Sequence, residues 1–165
     1  MKTINFLSIT LFIALIISSC RKIESLPPKP TIEYKSFLIF DTTDMLGNKE
    51  KAGRLKFSFK DGDGDIGMEE PTDGQTDTSN LFLTLYRKRS GQMLPDSLKP
   101  SYRIPFIENN GQNKILKGTI SVTFFYLFDT ITDTIRYDFF IKDRALHESN
   151  TVSTNEIIIR KNGIY

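Results

Sequence analysis

The sequence predicts an all-β fold: a single antiparallel, immunoglobulin-like (Greek-key) β-sandwich of about seven strands, preceded by a signal peptide and a tether. Three observations predict it. Short stretches alternate apolar and polar residues with period two, as in Leu55-Lys56-Phe57-Ser58-Phe59 and Ile135-Arg136-Tyr137-Asp138-Phe139, the pattern of strands with one buried face. No segment longer than about ten residues keeps apolar residues at i, i+3, i+4 and i+7, so no helix competes. The connections carry Gly47-Asn48, Asn110-Gly111 and Asn162-Gly163, residue types that tolerate the positive φ of tight turns. A small closed barrel is the rival architecture. With one Cys and no Trp, the Cys–Trp–Cys core of antibody domains is missing, so the likeness is architectural.

The chain opens with MKTINFLSITLFIALIISSC: one cation, Lys2, a largely apolar run from Ile4 to Ile17, then Ser18-Ser19-Cys20. A positive start, a short apolar stretch and small residues before a cleavage point make a secretory signal over residues 1–19. The run falls short of the ~20 apolar residues that cross ~30 Å of hydrocarbon, and Asn5, Ser8 and Thr10 interrupt it. Cys20 is the only cysteine, so no internal disulfide is possible. Ile17-Ser18-Ser19-Cys20 looks like the lipobox of bacterial lipoproteins. That likeness implies cleavage before Cys20 and acylation of its thiol and new amino terminus, palmitate being one such chain. Each buried methylene contributes ~0.8 kcal/mol, and two or more chains anchor stably. Residues 20–31 then form the lipidated Cys and a tether, in which Pro27, Pro28 and Pro30 favour an extended polyproline II spacer.

Residues 32–165 are one domain in size. Its strands read in order: 31–40; the run through Leu55, Phe57 and Phe59; the run through Leu81, Leu83 and Leu85; a weak 102–107; 118–128, apolar on both faces toward its end; 135–142; and 155–160. Pro105 cannot donate to a ladder, which places 102–107 at an edge. Thirteen Phe and six Tyr can fill a core without disulfides. The 68–80 stretch is polar and acidic, with little to bury, and reads as a mobile excursion. The net charge is +2, or +1 once Lys2 is removed, a near balance that gives no electrostatic reason to expect nucleic acid.

Residues 60–67, KDGDGDIG, set Asp61, Asp63 and Asp65 among glycines. Ca²⁺ takes six to eight oxygens at about 2.3–2.6 Å, and alternating Asp and Gly supplies carboxylates on a backbone able to fold inward. The match to an EF-hand loop fails twice: Ile66 stands at the sixth position, where Gly is needed, and Thr72 at the twelfth, where Glu is needed. The bland reading is an acidic strand-end turn, since two carboxylates 4 Å apart in water repel by only ~1 kcal/mol. The failed register favours that turn, with a structural Ca²⁺ loop on Asp61, Asp63 and Asp65 as the alternative. Residues 143–154, DRALHESNTVST, read as a long polar hairpin. Its Asp143 meets the acidic turn only if both lie at one end of the sandwich.

The Cys20 box, a strand ending in DGDGDIG, YRIP, NKILKGTI and a closing IKDRALHESNTVSTNEI together resemble an uncharacterised family of Bacteroidetes-type lipoproteins, over most of the mature chain. The resemblance implies lipid anchoring and an all-β domain, and it brings no activity. Surface-exported lipoproteins of such bacteria tend to carry acidic residues just after the Cys. Here Arg21-Lys22-Ile23-Glu24-Ser25 follows, which points to the periplasmic face of the outer membrane.

No enzyme is expected. His147, the only histidine, reads as a solvated loop residue, and no Ser sits in a Gly-x-Ser-x-Gly elbow. An acylated Cys20 is not a nucleophile, and one His cannot build a zinc site. The expected function is a lipid-anchored cell-envelope module that binds a protein partner or supports an outer-membrane complex. The alternative is a glycan- or ligand-binding accessory lipoprotein of an uptake system, its aromatic strands stacking sugars. Packing explains those aromatics more simply.

Overall fold

The computed structural model describes residues 25–72, 78–109, 111, 113–126 and 133–160. Cys20, the predicted signal segment and the first residues of the predicted tether lie outside them. The described residues hold nine strands and no helix: β1 (Thr31–Thr43), β2 (Lys49–Asp61), β3 (Leu81–Arg89), β4 (Gln92–Pro95), β5 (Ser101–Tyr102), β6 (Leu116–Tyr126), β7 (Asp133–Ile141), β8 (Val152–Ser153) and β9 (Ile157–Ile159). They form two antiparallel sheets and not a closed barrel. One runs β1-β2-β6; the other runs β4-β3-β7-β8, with β5 also on β3 and β9 also on β7.

The core is the meeting of the two alternating faces. Leu55, Phe57 and Phe59 of β2 point inward, as do Leu81, Leu83 and Leu85 of β3 and Ile135, Tyr137, Phe139 and Ile141 of β7. Phe57 and Phe139 meet across the sheets with ring centroids 5.3 Å apart. Full burial of each such side chain contributes about 1.5–3 kcal/mol. Gly53, in the middle of β2, pairs with Ile39 and Phe124. A Cβ there would stand 2.5 Å from the Phe37 ring, so the glycine leaves space for Phe37 to lie over the strand and stack on Phe124 and Tyr137.

The outcome departs from strict alternation at three places. In β1 the register shifts between Tyr34 and Ser36, so Lys35 bulges. Ile32 and Tyr34 face inward before it, on even numbers; Phe37 and Ile39 do so after it, on odd ones. The predicted 102–107 strand shrinks to Ser101–Tyr102, at the edge of its sheet beside β4. Beyond it the Ile104 N–H bonds the Asn80 Oδ1 at 2.6 Å, and Met68 pairs with Pro105, so this backbone serves loops instead of a ladder. Finally, Ser90 and Gly91, with φ of 49° and 82°, turn β3 back into β4, a hairpin the alternation pattern did not mark.

Candidate metal centre

Asp61 is the last residue of β2 and lies on its inward-facing parity, so its carboxylate enters the end of the sandwich. Only 1% of the residue is exposed. The chain then folds back on itself: the main-chain N–H of Asp65 donates to Asp61 Oδ2 at 2.8 Å. Gly64 and Gly67 take φ of +71° and +97°, a left-handed backbone that side chains resist. Ile66, fully buried, plugs the core beneath the turn. The residue that breaks the EF-hand register is therefore the hydrophobic pin of a different loop.

The second arm comes from the other sheet. Asp143 follows β7 and is fully buried. Its Oδ1 accepts the main-chain N–H of His147 at 2.7 Å, and its Oδ2 lies 2.9 Å from His147 Nδ1. The two arms are stitched together. Ala145 N–H donates to Asp65 Oδ2 at 3.1 Å, Arg144 N–H to the Asp65 carbonyl at 3.3 Å, and the Arg144 guanidinium to the Gly67 carbonyl at 3.1 Å. Asp143, which sequence could join to the acidic turn only conditionally, is brought to it. One carboxylate oxygen from each of Asp61, Asp63, Asp65 and Asp143 lies within 4.8 Å of all the others.

The hydrogen bonds leave a definite remainder. Asp61 and Asp65 each spend Oδ2 on a main-chain N–H. Their Oδ1 atoms, and Oδ1 of Asp63, are shielded from solvent and have no hydrogen-bond partner among the described residues. Buried polar atoms are nearly always paired, and four carboxylates so close repel strongly: two unit charges 4 Å apart cost roughly 4 kcal/mol at an effective dielectric of 20. Burial and this repulsion act in the same direction on the carboxyls. Burial first, then the charges of Asp63 and Asp65, push the Asp61 carboxyl up to about 6. Burial first, then Asp143 and Asp63, also raise Asp65. Arg144 is the cation beside Asp65, and its charge acts against that rise.

These residues could hold a metal ion. The donors are all hard carboxylate oxygens, suited to Ca²⁺, Mg²⁺ or Mn²⁺ rather than to metals that prefer nitrogen and sulfur. A contiguous calcium loop closes on its own twelfth residue; here the fourth carboxylate comes from Asp143 of the opposite sheet. Sequence reasoning took His147 for a solvated residue. Its ring, half-exposed, braces Asp143. It also missed Asn150, whose side chain bonds both the N–H and the carbonyl of Ile32 at 2.9 Å. The available signal was the run of Asn and Ser in 149–153, residue types that bond backbone.

No protein-family model, no curated protein and no solved structure matches the chain.

Proposed function

We propose that this chain is a lipid-anchored, non-enzymatic cell-envelope module, held beside a membrane through Cys20. In this reading its β-sandwich offers edge strands and end loops to a protein partner, and its acidic cluster takes a structural Ca²⁺. The observation that carries the cation reading is Asp61 Oδ1: a fully buried oxygen without a hydrogen-bond partner, on a carboxylate clustered with three others. Nothing in an acidic turn requires such an atom, and a divalent cation satisfies it. Because the unpartnered oxygens are closed off from solvent, the ion would be enclosed by the chain. That supports a structural role over one in which the ion bridges to a sugar or substrate. Chain oxygens enclosing the ion suit Ca²⁺ better than Mg²⁺, which keeps several waters.

The anchoring reading rests on Ile17-Ser18-Ser19-Cys20 at the end of a short apolar run. Among the described residues no helix is long and apolar enough to cross a membrane. Partner binding is supported by apolar side chains left exposed on the β1-β2-β6 sheet, Leu38 and Phe125, and by Met45 and Leu46 at the tip of its hairpin.

Isothermal titration of the purified, metal-stripped protein with Ca²⁺ tests the cation reading: one site per chain is expected, and no heat at millimolar Ca²⁺ would end it. Crosslinking in intact cells followed by detergent pull-down tests the partner reading. One stoichiometric envelope protein is expected; retention on a glycan array with no protein partner would favour the uptake-accessory alternative.

A further inference from the structure

The Pro-rich segment does not behave as a free spacer along its whole length. Pro30 is fully buried, and the carbonyl oxygens of Leu26 and Pro27 press against Gly62 so closely that a Cβ there would collide with both. Gly62 lies between Asp61 and Asp63, two of the four clustered carboxylates. Just downstream, the Asn150 side chain grips the Ile32 backbone through both its N–H and its carbonyl, and Asn150 belongs to the same hairpin as Asp143. The segment leaving the tether is thus held by both arms of the cluster. No main-chain hydrogen bond among the described residues ties 26–30 to the body outside the strands. The docking of Leu26 and Pro27 depends on the shape of the surface they lie on, and that surface is the acidic turn.

We propose that a divalent cation bound by Asp61, Asp63, Asp65 and Asp143 fixes the membrane-proximal segment 26–30 onto the sandwich, so that cation occupancy sets how far the body stands from its anchor. The inference rests on the cation reading above. The ion offsets the mutual repulsion of Asp61 and Asp63 and holds Gly62 in the one geometry that admits the two carbonyls. Without it the turn opens, the seat for Leu26 and Pro27 is lost, and five residues return to the tether. In polyproline II geometry that lengthens the leash by about 15 Å.

The test uses the full mature protein in detergent micelles, with a spin label on Ser25→Cys, an exposed residue next to the docked segment, and Ca²⁺ binding followed in parallel by calorimetry. With saturating Ca²⁺ the label is immobilised; with chelator its mobility rises several-fold. Gly62→Ala keeps all four carboxylates but blocks the seat, so it binds Ca²⁺ while the label stays mobile. If Gly62→Ala does not fold, Asp63→Asn serves: at a fixed sub-saturating Ca²⁺ it binds less and its label is more mobile. Calcium binding with label mobility unchanged between Ca²⁺ and chelator overturns the coupling and leaves the cation site standing. Absence of Ca²⁺ binding overturns both.

Discussion

Asp61 and Asp65 divide their oxygens in the same way. Asp61 Oδ2 accepts the Asp65 main-chain N–H at 2.8 Å, and Asp65 Oδ2 accepts the Ala145 N–H at 3.1 Å. Oδ1 of each is left buried and without a hydrogen-bond partner, and both carboxylates cluster with those of Asp63 and Asp143. The chain's own hydrogen bonds account for the fold of the loop but not for these inward-facing atoms.

On the cation reading, calcium is expected to stabilise the protein and Asp61→Asn to remove that response. A ligand at a hundred times its dissociation constant adds about 2.7 kcal/mol to a folded state it binds selectively. For a domain of this size each kcal/mol moves the melting temperature by about 2–4 °C, so an upward shift of roughly 5–10 °C is expected on adding Ca²⁺ to metal-stripped protein. Thermal melts with Ca²⁺ and with chelator check it. An equal melting temperature in both would count against the site.

The metal-free protein weakens as pH rises through the titration of Asp61. Its carboxyl lies at about 6 in the folded state against an ordinary 3.8, so between those values the native state holds more protons than the unfolded chain and stability falls with increasing pH. The full difference corresponds to roughly 3 kcal/mol. Asp61→Asn, neutral throughout, should match the parent below about pH 3 and exceed it by about that amount above pH 7 in chelator. Urea unfolding across the range measures it, and a parent that gains on the variant as pH rises refutes the direction.

Gly53→Ala destabilises although it lies far from the acidic turn. The added Cβ would meet the Phe37 ring at 2.5 Å, forcing apart the stack of Phe37 on Phe124 and Tyr137. Overpacking of this kind costs about 1–3 kcal/mol. A lowered urea midpoint with unchanged Ca²⁺ affinity is the expected pair of results.

Asn150→Ala leaves the Ile32 N–H and carbonyl without their side-chain partner. Unpairing partly buried backbone groups costs about 1–3 kcal/mol. The expected signature is faster hydrogen exchange at the Ile32 amide; unchanged protection there would show that another group holds it.

On the anchoring reading, Cys20→Ser is expected to move the protein from the membrane fraction to the soluble fraction, or to block its maturation, because serine has no thiol to carry a lipid. Cell fractionation reads the outcome, and undiminished membrane retention would count against acylation.

The five long strands were legible because their signal is local. Leu55, Phe57 and Phe59, or Ile135, Tyr137 and Phe139, declare a buried face within a few residues of chain. The bulge at Lys35 was less visible, since apolar residues stand on both parities of β1 and only pairing with β2 shows where the switch falls. The YRIPFI stretch misled in length. Its alternation is real, but Asn80 and Met68 take up Ile104 and its neighbour, and those contacts arise only when the loops meet.

Residue order was sufficient for an all-β body and for three carboxylates in one tight turn, because alternation and turn chemistry act between near neighbours. Closure of the sandwich decided the rest. It alone put Asp143, carried on a different sheet, among Asp61, Asp63 and Asp65, and it seated Leu26 and Pro27 on Gly62. Such meetings depend on the register of β2 against β6 and of β3 against β7, and on how the two sheets stack, none of which is written in any short stretch of chain.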